Sequence, residues 1–150
     1  MRMAIRLAEQ NVALGKGGPF GAVIVKDGKV IAKSANKVTQ RNDPTAHAEV
    51  STIRMACRKL NTFDLAGCII YTSCEPCPMC LGAIYWSRLD TIYYANTKKD
   101  AADIGFDDQF IYEELDLPME QRKLPIIQMM RQEALGAFKQ WEQSPLKIEY

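Results

Sequence analysis

The sequence predicts an α/β fold, a mixed sheet with helices on both faces. Three observations predict it: segments with apolar residues at helical spacing, short β-branched runs alternating with them, and turn residues between the two kinds. The chain of 150 residues suits one domain, read here as residues 1–150, and is long enough to bury an ordinary core without staples. With 47% hydrophobic and 25% charged residues it has the composition of a globular protein rather than a disordered one.

Each element follows from its local pattern. Residues 3–14 read as an amphipathic helix, with Ile5, Leu7, Ala8, Val12 and Leu14 along one broad side, and Gly15, Gly17, Gly18 and Pro19 end it. Residues 20–26 and 29–34 are apolar, β-branched runs on either side of Asp27-Gly28, a strong hairpin signal. Residues 39–44 form a polar loop, and Asp43-Pro44-Thr45 is a helix-opening pattern. A helix over 47–60 follows, with Val50, Ile53, Ala56, Cys57 and Leu60 at helical spacing. Residues 68–72 read as a strand, 78–86 as a helix with proline in its first turn, where a missing N–H does no harm, and 91–95 as another strand. Beyond them lie an acidic loop at 105–109, short helices to about Gln121, a strand near 125–129 and a helix over 131–143 that Pro145 breaks.

Composition narrows the function classes. Nineteen Lys and Arg against eighteen Asp and Glu leave a net charge of +1, which argues against a basic nucleic-acid platform. No apolar run approaches the about 20 residues needed to span a bilayer, and the start lacks the apolar core of an export signal, so a cytoplasmic, reducing location is expected. An odd number of cysteines in such a compartment argues against a disulfide framework. Three of the five, Cys74, Cys77 and Cys80, nonetheless fall within seven residues, and that crowding needs a chemical reason.

Zinc supplies one. His47-Ala48-Glu49 precedes Pro76-Cys77-Pro78-Met79-Cys80 by about thirty residues, and H-x-E…P-C-x-x-C is the general signature of zinc nucleobase deaminases. A Cys-x-x-Cys pair at a helix start points two sulfurs at one site, and the helix N-terminus favours their thiolate form. One imidazole and two thiolates leave the fourth zinc position for water, as catalytic sites require. Cys74 is the ambiguity: Cys74-Glu75-Pro76-Cys77 is also a C-x-x-C, and a fourth protein ligand would make the site closed and structural. Cys77 and Cys80 are favoured because Cys74 sits at a strand end. A redox dithiol would leave His47 and Glu49 unexplained. Glu49 alone would read as a solvated carboxylate in a helix's first turn. Beside a ligand histidine it reads as a proton shuttle, because zinc brings the pKa of a coordinated water to about 7.

Thr45-Ala46-His47-Ala48-Glu49-Val50 and the run from Cys74 to Ala83 resemble the zinc motifs of the cytidine deaminase superfamily. Gly17-Gly18-Pro19-Phe20-Gly21-Ala22-Val23-Ile24-Val25, Asn42-Asp43-Pro44-Thr45, Ile84-Tyr85-Trp86 and Gly105-Phe106-Asp107-Asp108 narrow the resemblance to the bacterial guanine deaminase family along nearly the whole chain. The resemblance implies a cytidine deaminase-like, three-layer α/β/α fold around a five-stranded mixed sheet. It implies hydrolysis of guanine, a small purine base, to xanthine and ammonia, with one Zn2+ per subunit on His47, Cys77 and Cys80. It implies Glu49 as proton shuttle, Asp108 near the exocyclic amine, and Asn36, Ala48, Phe20 and Trp86 as purine contacts. It also implies a homodimer exchanging residues of about 131–150, so that Tyr150 covers the partner's site. Without that resemblance, Phe20 and Trp86 would read as core, Asp108 as part of a solvated loop and Tyr150 as a frayed end. The rival readings are a deaminase of cytosine, guanosine or tRNA adenosine, and a non-catalytic zinc module. The tail lacks the basic stripe that a tRNA editor needs.

Overall fold

The computed structural model describes residues 1–150. In chain order the elements are α1 (Arg2–Ala13), β1 (Gly21–Lys26), β2 (Lys29–Ala35), α2 (Val38–Arg41), α3 (Ala48–Leu60), β3 (Cys68–Cys74), α4 (Pro78–Trp86), β4 (Thr91–Asn96), α5 (Lys98–Ala102), α6 (Gln109–Asp116), a 3₁₀ turn (Met119–Gln121) and α7 (Arg131–Gln143). They divide into two units, Met1–Gln109 and Phe110–Tyr150.

The hairpin nucleates the sheet of the first unit. Asp27 and Gly28 take φ of 50° and 71°, the double positive φ of a type I′ turn, whose twist matches that of the flanking strands. β1 and β2 pair antiparallel from Lys26↔Lys29 to Gly21↔Ala35, with a register shift between Ile24 and Val25. β3 lies antiparallel on the other edge of β1, with Ala22 opposite Thr72 and Lys26 opposite Cys68. β4 runs parallel to β3, so the chain must cross over between them, and α4 is that crossover. The order is β2-β1-β3-β4.

Alternation along β1 assigns the two faces. Ala22 and Ile24 point to one side, where they pack with Ile70 of β3, Ile53 and Ala56 of α3, and Ile84 of α4 to form the core. Gly21 points to the other, against α1: a Cβ there would collide with the Ala4 carbonyl and lie 2.8 Å from Leu7. This close approach explains a departure from expectation. The buried stripe of α1 is Ala4, Ala8 and Asn11, whereas Val12 and Leu14 are exposed. A helix seated directly on a strand glycine buries its small residues, whatever the larger ones would gain elsewhere.

Most expected elements stand within one or two residues, and the fold is the expected mixed sheet with helices on both faces. The strand count is corrected from five to four. Residues 125–129 form no strand: Pro125 has no N–H to offer a ladder, and Ile127 is 82% exposed. An apolar run becomes a strand only where a sheet edge accepts it. Residues 39–44 were expected to be loop throughout, but α2 occupies part of them and ends at Asn42 in the left-handed region (φ 49°). In the second unit, α6, the 3₁₀ turn and α7 bury no residue. The Arg122 guanidinium fastens the turn by donating to the Leu117 and Leu115 carbonyls at 3.1 and 3.2 Å.

Candidate active site

Two helices begin at the site. The Asp43 carboxylate accepts both the amide (2.8 Å) and the hydroxyl (2.7 Å) of Thr45, forming an Asx turn. Asp43-Pro44-Thr45 therefore shapes the approach to α3 instead of opening it, and His47 is the N-cap residue. Cys77 is the N-cap of α4, with Pro78 in the first turn, so Cys80 projects from that turn beside it. Neither cap residue makes a side-chain capping hydrogen bond. Both side chains are turned instead toward each other.

His47 Nδ1 lies 3.6 Å from Cys77 Sγ and 3.4 Å from Cys80 Sγ, and the three ligand atoms fall within 4.8 Å of one another. Tetrahedral zinc with sulfur at about 2.3 Å and nitrogen at about 2.0 Å requires N···S edges of about 3.5 Å. The residues therefore fit the metal. The neighbouring Cys80 sulfur and His47 hold the Cys77 thiol down to about 4, against its burial. His47 is pushed up by the Cys77 sulfur on its ring. Cys80 is pushed the other way, upward, by its bond to Cys77 and by burial.

Cys74 is not in this cluster. It is buried at the end of β3, where its thiol donates to the Thr97 carbonyl at 3.5 Å, and burial pushes it up to about 11. Three protein ligands, not four, converge.

Glu49 is 5% exposed and has no cationic side chain within hydrogen-bonding distance; its Oε2 accepts from the Cys80 thiol at 3.5 Å. Burial raises its carboxyl above the usual range, against the pull of His47. A carboxyl of this kind holds a proton nearer neutrality, which suits transfer in both directions.

A cavity of about 470 Å³ opens onto these groups. Phe20, Asn36, His47, Glu49, Cys77 and Asp108 all line it. Asn36 Oδ1 accepts the Val38 amide at 3.2 Å, which leaves its Nδ2 hydrogens for other acceptors. Asp108 is raised by partial burial and by the Cys77 sulfur. Its neighbour Asp107 accepts the Gln109 amide at 2.9 Å at the start of α6. Ala48, between His47 and Glu49 in sequence, is fully buried, its carbonyl accepting the Thr52 hydroxyl at 2.7 Å. Two expected contacts in the first unit, Ala48 and Trp86, do not line this cavity. Trp86, in the last turn of α4, is 68% exposed beside Gly82, Tyr85 and Arg88. Tyr150 is 71% exposed at the end of the second unit. The residue that sequence reasoning missed is Phe106, whose ring meets that of Phe20 edge-on at 4.9 Å and 88°. The signal was present, since Phe106 lies in a run already singled out, but a lone aromatic beside acidic residues carries no mark of which wall it joins.

A fold of this topology, with a His-Cys-Cys triad at two helix starts and a buried carboxylate beside it, defines the zinc-dependent deaminases of bases and nucleosides. The chain belongs to that family: residues 1–96 match the model of the cytidine and deoxycytidylate deaminase zinc-binding region. More particularly, the chain is 55% identical over all its 150 residues to the guanine deaminase of Bacillus subtilis strain 168, covering 96% of that protein. A crystal structure of guanine deaminase from Bacillus subtilis superposes with a TM-score of 0.96 over 99% of this chain and 95% of that one, again at 55% identity. A tRNA-specific adenosine deaminase of Aquifex aeolicus is 44% identical over 98 residues, 65% of each chain.

Proposed function

We propose that this chain is a zinc-dependent guanine deaminase, converting guanine and water to xanthine and ammonia. The observation that carries the reading is the buried Glu49 carboxylate against an open three-ligand set, at the floor of a cavity sized for a small ring system. Similarity to guanine deaminase extends over the whole chain, whereas that to the tRNA enzyme spans 65% of it.

Zinc held by His47, Cys77 and Cys80, one ion per subunit, supplies Lewis-acid activation of water. Glu49 accepts a proton as water adds to C2 and delivers it to the adjacent ring nitrogen. It then carries the second proton to the exocyclic nitrogen, which leaves as ammonia. Asp108, an acceptor, holds the amine in line for departure. Asn36 donates its Nδ2 hydrogens to an acceptor on the base, Phe20 walls one ring face and Ala48 packs beneath it. Trp86 adds an aromatic wall to the purine pocket, and the subunits form a homodimer in the cytoplasm, exchanging residues of about 131–150 so that Tyr150 covers the partner's site. No nucleic acid or membrane takes part.

The test is ammonia release from guanine, cytosine, adenine, guanosine and a tRNA anticodon stem-loop by zinc-loaded protein, with Glu49→Ala as control. Release from guanine, lost in the variant, is the expected result. Release from cytosine or the stem-loop instead keeps the zinc chemistry and overturns the substrate. Guanine turnover that survives Glu49→Ala overturns the shuttle.

A further inference from the structure

Asn11 is the one polar residue in the buried stripe of α1, and it is 5% exposed. Packing alone favours an apolar side chain there. Its Nδ2 instead donates both hydrogens, to the Gly18 carbonyl at 2.9 Å and to the Asn36 carbonyl at 3.0 Å. These carbonyls belong to segments 18 residues apart in sequence that meet at the cavity. The same two segments are joined again where the Asn36 amide donates to the Phe20 carbonyl at 2.9 Å. Gly17 completes the arrangement: a Cβ there would sit 3.1 Å from Asn11 Nδ2, 3.1 Å from the Asn36 carbonyl and 3.3 Å from Asn36 Oδ1.

We propose that Asn11, which does not line the cavity, is a positioning residue for base binding: its amide clasps the two strand ends that present the Asn36 side chain and the Phe20 ring. Without the clasp, the Asn36 carbonyl loses its donor, the Gly18 carbonyl keeps only the Phe20 amide, and the backbone that aims Asn36 relaxes. The cost falls on ground-state recognition of the base. The protons moved by Glu49 are untouched, because α1 and α3 pack on opposite faces of the sheet.

The kinetic part of this inference rests on the guanine deaminase reading, and the structural part does not. The experiment compares the zinc-loaded full-length protein with Asn11→Leu, Asn36→Ala and the double variant. It measures guanine kinetics, zinc content and amide hydrogen exchange. In Asn11→Leu, protection is expected to fall at the Phe20 and Asn36 amides, which flank the strands, and to persist within β1 and β2, with zinc content unchanged. KM should rise about tenfold with kcat nearly constant. In the Asn36→Ala background the Asn11 change should raise KM by less than it does alone, because only the share acting through the Phe20 ring remains. Unchanged protection overturns the clasp, and an additive KM effect or equal losses in all parameters overturn the positioning role. Should Asn11→Leu fail to fold, Gly17→Ala presses on the same clasp from the opposite side and is held to the same outcomes. If the wild-type protein leaves guanine intact, the functional reading fails while the exchange data still decide the clasp.

Discussion

The two units of the molecule stand in contrast. In Met1–Gln109 the sheet, α1, α3 and α4 satisfy one another: Ile24, Leu65 and Ile70 are fully buried, and every ligand and cavity residue identified lies within that unit. Phe110–Tyr150 has helices but no core. Phe138, Ile127 and Leu146 are each at least 74% exposed, many large apolar side chains to leave bare on 41 residues. The first unit is a folded catalyst in outline, and the second has its secondary structure without its burial. The lesson is that helix periodicity and a complete hydrophobic core are separate properties of a sequence.

The largest expected effect tests whether the chemistry resides wholly in the first unit. Glu49→Gln should lower kcat for guanine by about 10³-fold with zinc content unchanged, by steady-state assay and metal analysis. A loss of only a few-fold would move the proton transfer elsewhere. Next, deletion of residues 144–150 should cut turnover by about 10²-fold, the scale of a lost positioning contact, while leaving Tm nearly constant. Equal turnover by the shortened chain would sink the covering role of Tyr150. The stability contrast is more modest. Ile70→Ala should cost about 2–5 kcal/mol in denaturant unfolding, because it empties a fully buried position. Phe138→Ser should change the unfolding of the first unit by no more than about 0.5 kcal/mol and act on self-association in sedimentation. A large loss of first-unit stability from Phe138→Ser would erase the distinction between the units. The smallest effect belongs to Cys74→Ser, which should leave bound zinc unaltered. A fall in zinc content would make Cys74 a ligand after all.

Much of this was legible in the residues, for identifiable reasons. α4 begins at Pro78, as expected of a proline that suits a first turn, and the hairpin turns at Asp27-Gly28 because two residues with positive φ match the twist of the flanking strands. The ligand triad was legible because three metal-binding residue types at that spacing have few other uses. The rest depends on contacts that no local pattern encodes. Residues 125–129 have strand composition, but pairing is a property of the neighbour. Val12 and Leu14 outrank Ala4 and Ala8 in hydrophobicity, yet the close approach at Gly21 decides which of them is buried. Phe106 joins the cavity wall through Phe20, and Asn11 reaches the Asn36 carbonyl beside it, each by virtue of a residue distant in sequence.

The N-caps of α3 and α4 are themselves metal ligands, and neither is fixed by a capping hydrogen bond. Zinc held by His47, Cys77 and Cys80 would therefore fasten the polypeptide, pinning the leading turns of two helices that no side-chain cap secures. Chain made in zinc-poor medium should keep its sheet while both helix starts fray, and exchange at the Ser51 and Leu81 amides, which donate to the His47 and Cys77 carbonyls, would then serve as a gauge of metal supply that needs no substrate at all.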